Sequence, residues 1–361
     1  MGDLKGTVGV VLAAGLGNRL RPSTLYCPKP LIPVAGVEPL FFALHQFQEI
    51  GIKRVIVNVH YLPMQITEAL SLWKGHFPDM EFRVSYEMAE ILGTGGALIK
   101  IAEENGDWIQ DAGILLQNGD TLASFDLLKL VEKADQSTLA TSFRNDFLEK
   151  YNPLWLSAHG SWAGIGKDPK SEDWLPAHFF GVHYLSPKAV KSIKTFCGEL
   201  RSIDLFNGIY RPLSDHGFTF KSVEFLKNTN TSDFWFDMNN KEFLLNAQEH
   251  LLSASNRGVW SKILEHRHPG IKEIESGVWV KGAGNYPGIS FSSPVVFVEE
   301  NSSYLNRSNE ILKIGPSVSW VQEKSLEQNQ HPQNIKNSVV MLKKAWQHDI
   351  PQDILNDIVL A

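Results

Sequence analysis

The chain has 361 residues, 34 Lys plus Arg against 40 Asp plus Glu, and a formal net charge of -6. That balance excludes a strongly basic nucleic-acid binder, and 43% hydrophobic with 20% charged residues excludes a disordered chain. Two cysteines, Cys27 and Cys197, are too few for a disulfide scaffold or a cysteine-built zinc site.

The first apolar run is short, leads straight into a glycine turn and lacks the basic leader of a signal peptide. No stretch approaches the ~18 apolar residues of a membrane span. The expectation is a soluble, cytoplasmic protein with neither nucleic acid nor membrane as partner. In chain order, residues 7–14 read as a buried strand stopped by Gly15. Residues 38–50 read as a helix, with Leu40, Phe41, Leu44, Phe47 and Ile50 on one face. Residues 54–59 form the next strand, QITEAL a short helix, 81–87 a strand, and Gly95 to Asn105 a helix. Residues 112–120 form a strand running into a turn, and Ser124 is placed to cap a helix through Ala134. A strand follows at 139–144, a strand-like run at 178–185, a helix at 186–196 and another at 237–252.

Strands alternating with helices predict an α/β fold, a Rossmann-like, mostly parallel sheet flanked by helices. Ligands of such sheets bind beyond the carboxyl ends of the strands, where Gly15–Gly17 and Asn118–Asp120 both fall. After about residue 253 the texture changes to short β-like runs divided by Gly, Pro, Ser and Asn. Residues 1–252 are therefore read as one domain and 253–361 as a small β-rich one.

LAAGLGNRLRPST (12–24), followed by PKPLIPVAG (28–36), carries the chemistry. Glycines let a backbone turn its N–H groups toward a ligand. Arg19 offers a planar fork and Lys29 a point charge, so the segment suits a polyphosphate. It is neither dinucleotide fingerprint nor P-loop: Leu20 stands at the third glycine position, and no Gly-Lys-Ser/Thr follows Gly17.

These segments resemble the signature of the sugar-phosphate nucleotidylyltransferases, of the mannose-1-phosphate guanylyltransferase type. NVHYLPMQI (58–66), EILGTGGAL (90–98), LQNGD (116–120), HFFGVHYLSP (178–187), DLFNGIYRPL (204–213) and FWFDMNNKEFLLNA (234–247) continue the pattern in order. The resemblance implies transfer of a nucleotidyl group from an NTP to a sugar 1-phosphate, with pyrophosphate leaving. It implies that Leu12, Ala14, Gly15 and Gly17 lie against the nucleotide, Arg19 grips the β- and γ-phosphates and Lys29 binds near the α-phosphate. It makes Asp120 and Asp237 the ligands of Mg²⁺, with the residues' own reading leaving Asp120 as a turn aspartate and Asp237 as a helix N-cap. Gly93 and Thr94 would face base and ribose, and relatives with this run favour GTP and a mannose or heptose phosphate. Lys167 and Gly181 would bind the sugar phosphate.

The chain departs from the pattern at Asn18, Gly166, Phe179 and Met238-Asn239. Three of these changes fall on the sugar side, which keeps open a non-catalytic, regulatory nucleotide-sugar-binding homologue. The tail, about 270–345, resembles an eroded left-handed β-helix, a kind of domain that serves oligomerisation, here a homo-oligomer, or regulation. His183 is assigned to packing or the surface rather than to catalysis, and the tryptophans and a buried Cys27 to packing.

Overall fold

The fold is a computed structural model describing residues 6–275 except 22, 26, 134, 170, 228–232 and 254, and beyond them 278–281, 289–291, 295–298 and 312–314. The chain divides into two compact units, Met1–Gly15 with Ala43–Trp235, and Leu16–Phe42 with Phe236–Ala361.

In chain order the first elements are β1 (Val8–Leu12), α1 (Pro39–Glu49), β2 (Arg54–Val59), α2 (Pro63–Trp73), β3 (Glu81–Tyr86), α3 (Gly93–Glu104), α4 (Gly106–Ile109) and β4 (Ile114–Asn118). There follow β5 (Thr121–Ala123), α5 (Leu128–Val131), β6 (Ser137–Ser142), α6 (Asn145–Leu148), β7 (Leu154–Leu156), β8 (Trp162–Ile165) and β9 (Leu175–Leu185). Then come α7 (Pro187–Phe196), a π-helical turn Phe206–Tyr210, α8 (Arg211–Asp215), β10 (Phe220–Glu224), β11 (Trp235–Asp237), α9 (Lys241–Leu252) and α10 (Arg257–Arg267).

The first unit is built on a sheet ordered β10-β6-β9-β4-β1-β2-β3, with β7 on β9 and β8 on β7. β1, β2, β3 and β4 run parallel, as do β6 and β10, while β9 lies antiparallel to both β4 and β6. This is the expected mixed, mostly parallel sheet. Its strands are short aliphatic runs because both faces are covered: Val8, Val10, Ile56, Ile114 and Leu116 are buried in one cluster with Leu98, Ile101 and Ile193 of the helices. β1 lies between β2 and β4, so the chain reverses its direction of travel across the sheet beside β1. Crevices at the carboxyl ends beside such a reversal are where open α/β sheets bind ligands.

Two local expectations are corrected. Ser124 caps no helix: its N–H donates to Phe234 O at 2.9 Å, and the helix is the single turn α5, whose Leu128 N–H is taken by Asp126 Oδ1 at 3.2 Å. The β-like reading from 253 onward misses α10, which buries Trp260, Ile263 and Leu264.

In the second unit, α9 is capped by Asn240, whose side chain accepts from Phe243 N at 2.9 Å. The tail strands are β12 (Lys272–Glu275), β13 (Val278–Lys281), β14 (Ile289–Phe291), β15 (Val295–Val298) and β16 (Leu312–Ile314). β13 pairs β15 in parallel, and β14 pairs β16 likewise. The rest of the tail, and with it the expected β-helix and its part in oligomers, lies outside the described residues. Among the described residues no helix is long and apolar enough to cross a membrane.

Candidate active site

The predicted residues are distributed over both units. Leu12, Ala14, Gly15, Gly93, Thr94, Asp120, Lys167 and Gly181 belong to the first, and Gly17, Arg19, Lys29 and Asp237 to the second.

In the first unit, β1 and β4 end in register at Leu12 and Asn118, and Gly119 N donates to Leu12 O at 2.8 Å. The Asn118–Asp120 turn and the Leu12–Gly15 segment thus leave the same edge side by side. Gly15 is exposed, and a Cβ there would have open space around it, so its backbone is accessible. Gly181, at φ 72°, faces β4: a Cβ would stand 2.6 Å from Asn118 Nδ2, so only glycine admits that amide. Lys167 is exposed, just beyond Gly166, whose carbonyl accepts from Trp155 Nε1 at 2.8 Å.

The glycine turn before α3 has a packing role the sequence did not disclose. Gly95 N and Gly96 N donate to Ile203 O at 3.0 and 3.2 Å, while a Cβ on Gly95 would meet Asp204 O at 2.4 Å. Thr94 Oγ1 accepts from Leu205 N at 2.9 Å. These residues therefore hold the 201–205 backbone against the start of α3.

Phe179 packs its ring against Phe206 and His183 at centroid distances of 5.8 Å. His183 is fully enclosed and hydrogen-bonded through Nδ1 to the Tyr210 hydroxyl, and burial pushes its imidazole down to about 3. It is a packed, neutral ring, in keeping with the structural role expected of it.

In the second unit the phosphate signature folds onto itself. Gly17, at φ 63°, opens a 3₁₀ turn Asn18–Leu20, and a Cβ on it would meet Thr24 Cγ2 at 2.7 Å. The Thr24 hydroxyl donates to Gly17 O at 2.9 Å, which explains the Ser-Thr ending of the motif. Arg19 and Lys29 converge on one acceptor: Asn239 Oδ1 lies 2.6 Å from Arg19 Nη2 and 3.2 Å from Lys29 Nζ. Asp237 Oδ1 is 3.9 Å from the same Lys29 Nζ. Arg19 is exposed, whereas Lys29 is only 8% exposed, so its charge acts in a poorly screened setting. Asp237 ends β11 and does not cap the helix: Asn240 takes the N-cap role that the sequence alone leaves open to Asp237. Asn239, a departure from the family pattern, is the residue that sequence reasoning undervalued.

Also in the second unit, Val34 and Val37 pair across a tight turn. Ala35 N donates to Gln248 Oε1 at 3.2 Å, and Ala35 O accepts from Trp260 Nε1 at 3.0 Å. Glu38, 3% exposed, is clamped by Arg267 through bonds of 2.7 and 2.8 Å. Cys27 is a buried thiol whose pKa burial raises, with Glu38 adding to the effect.

Among the described residues no three His, Cys, Asp or Glu side chains form a preformed metal cage. Mg²⁺ needs none, because it is typically held by one or two carboxylates together with substrate phosphates and water. Asp120, in a turn beyond a strand end, and Asp237, at a strand end beside a cation, have the hard donors that such an ion takes.

The nucleotidyl transferase family profile matches residues 8–146. A D-glycero-alpha-D-manno-heptose 1-phosphate guanylyltransferase of Campylobacter jejuni is 34% identical over 138 residues, 38% of this chain and 58% of the relative. An N-acetylmuramate alpha-1-phosphate uridylyltransferase of Caulobacter vibrioides is 30% identical over 193 residues, 50% of this chain and 76% of the relative. A UTP--glucose-1-phosphate uridylyltransferase of Synechocystis is 26% identical over 307 residues, 79% of this chain and 72% of the relative. The chain belongs to the nucleotidyl transferase family, among relatives named for sugar-phosphate substrates.

Proposed function

We propose that the protein is a sugar-1-phosphate nucleotidylyltransferase that joins an NTP, GTP by preference, to a sugar 1-phosphate of the mannose or heptose type. The observation that carries this reading is the convergence of Arg19, Lys29, Asp237 and Asn239 within one unit. In the reaction an oxygen of the sugar phosphate forms a bond to the α-phosphorus. The bond from that phosphorus to the β-phosphate's bridging oxygen breaks, and pyrophosphate leaves with the electron pair. The attacking oxygen is already anionic, so no strong base is needed; positioning and charge neutralisation dominate.

The N–H groups of Gly15 and Gly17 hold phosphate oxygens, with Leu12 and Ala14 beside the nucleoside. Arg19 forks onto the β- and γ-phosphates and stabilises the departing pyrophosphate. Lys29 places a poorly screened positive charge at the α-phosphate. Asp120 and Asp237 would hold Mg²⁺, which when bound neutralises triphosphate charge. Gly93 and Thr94 border the base and ribose, and Lys167 and Gly181 the sugar phosphate. The Leu-Gly-Thr-Gly-Gly turn and the Campylobacter guanylyltransferase favour GTP over the UTP of the other two relatives' names.

A second reading, a regulatory nucleotide-sugar-binding homologue, is favoured by Phe179, whose ring is turned onto Phe206 and His183 and offers a sugar no polar group. Pyrophosphate release measured for five nucleotides against several sugar 1-phosphates with Mg²⁺ decides between them. Turnover with GTP and mannose or heptose 1-phosphate supports transfer, and binding without turnover for every pair supports regulation. Asp120→Ala removes metal-dependent turnover and leaves the fold intact; unchanged activity in that variant refutes the metal assignment.

A further inference from the structure

We infer that Glu87 and Asn58 are positioning residues that hold two nucleotide-facing loops of the first unit in register through one buried relay. The inference rests on the transferase reading above.

Asn58 ends its pairing with β1 opposite Leu12, and β2 ends its pairing with β3 at Val59 opposite Tyr86. The backbone ladder runs one bond further on each side, Ala13 N to Asn58 O at 3.2 Å and Glu87 N to Val59 O at 2.8 Å, and side chains then join the two ends. Ala13 N donates to Asn58 Oδ1 at 2.7 Å. Asn58 Nδ2 donates to Glu87 Oε1 at 2.6 Å, and Glu87 Oε2 accepts from Leu92 N at 2.8 Å. The relay therefore runs from the residue between Leu12 and Ala14 to the residue before Gly93. Both ends are backbone N–H groups adjoining the predicted nucleotide contacts.

Asn58 and Glu87 are 3% and 4% exposed. A carboxyl group this deeply buried is costly unless its oxygens are occupied. Glu87 itself is fixed at both backbone ends, its N–H donating to Val59 O at 2.8 Å and its carbonyl bonded to His60 Nδ1 at 2.6 Å. The carboxyl must accept on both oxygens at once. A carboxylate does this, whereas an amide offers one acceptor and turns an NH₂ toward the other donor. Asn58, in turn, must accept on one side and donate on the other. The chemistry at each position is thus dictated by the two segments the relay joins, at Ala13 and at Leu92, which are linked to one another through these two side chains.

The test is a transposition. Glu87→Gln alone sets an NH₂ against either Asn58 Nδ2 or Leu92 N. Asn58→Asp combined with Glu87→Gln restores every donor–acceptor match with the charge moved one residue along. The carboxylate introduced at the first position accepts from Ala13 N and from the amide introduced at the second, and that amide's own oxygen accepts from Leu92 N. In full-length protein assayed with GTP, mannose 1-phosphate and Mg²⁺, Glu87→Gln is expected to raise the KM for GTP about ten- to a hundredfold, with kcat within about threefold. The transposed double variant recovers most of that loss. A KM within about twofold of the parent's in Glu87→Gln, or a double variant no better than the single, overturns the inference. Amide exchange supplies a readout that needs no turnover. Ala13 and Leu92 amides of the parent exchange slowly; in Glu87→Gln both accelerate, Leu92 the more because Ala13 N keeps Asn58 O as a second acceptor at 3.2 Å. Leu92 accelerating while Ala13 stays unmoved overturns the relay. If Glu87→Gln does not fold, the parent's exchange pattern and the double variant decide the point. A parent that turns over no substrate pair refutes the transferase reading and leaves the exchange result standing.

Discussion

Replacing Arg267 by Met tests whether α10 is integral to the unit that carries Lys29. The side chains of Arg267 and Glu38 are 7% and 3% exposed, and the two bonds between them are 2.7 and 2.8 Å. The guanidinium carbon also lies 5.3 Å from the Phe41 ring centroid. Two unit charges ~4 Å apart attract by ~4 kcal/mol at an effective dielectric near 20. That agrees in scale with the ~3–5 kcal/mol measured when one partner of a buried pair is removed. Met keeps the volume of the stem and deletes the charge, so the loss reports the stranded Glu38 carboxyl rather than a cavity. Urea unfolding of the full chain should show Arg267→Met less stable by ~3 kcal/mol or more. Adding Glu38→Gln should return part of that loss, because the buried charge is then gone from both sides. A single-variant loss under ~1 kcal/mol, the value of an exposed pair, or a double variant no more stable than the single, would refute the argument.

Gly95→Ala should cost ~1–3 kcal/mol, because its Cβ would stand 2.4 Å from the carbonyl oxygen of Asp204, a backbone atom that cannot swing away. Gly75→Ala, where a Cβ meets nothing within 4 Å, is the control and should be neutral or mildly stabilising. Equal urea midpoints for the two would show that the close approach does not constrain the fold. Burial holds His183 at about 3 and His178 at about 4, the latter against a smaller opposing pull from Asp146. The unfolded chain protonates both below about pH 6.5 while the native chain does not. Stability is therefore whole above that pH and falls as pH drops toward about 4, by up to ~1.4 kcal/mol per pH unit for each histidine. Urea unfolding at about pH 7, 6 and 5 should show this slope, and His183→Gln should flatten it by one histidine's share. An unchanged slope in that variant would contradict the assignment.

Elements whose identity is set by their own sequence were legible. β1, β2 and β4 each carry three consecutive aliphatic residues within a short run bounded by turn residues, so burial on both faces follows without knowledge of their neighbours. Ser186 before Pro187 and an apolar 3.6-residue period define α7 from within. α10 gave no such signal. Its residue before the first turn, Asn256, makes no capping bond, and its polar residues dilute the apolar stripe. What fixes it is Trp260 donating to Ala35 and Arg267 clamping Glu38, partners more than two hundred positions away. Ser124 misled for the complementary reason: a good cap residue was present, but the helix starts only at Leu128, whose N–H is taken by Asp126.

The site divides along the same line. Gly15, Arg19, Lys29 and Asp120 stand out as candidates because glycine turns, cations and strand-end acids suit phosphate and metal chemistry. The residues behind the candidate loops do not. Asn58 and Glu87 look like the polar ends of two strands, and only the parallel register that brings β1, β2 and β3 together shows that each must serve two loops. Asn239 reads as a loss against the family pattern, yet its Oδ1 is the atom on which Arg19 and Lys29 meet. A neutral oxygen shared by two cations orients both without neutralising either. A carboxylate at that position would hold them more tightly and oppose an incoming triphosphate, so an amide is the better occupant where the cations must stay available to phosphate.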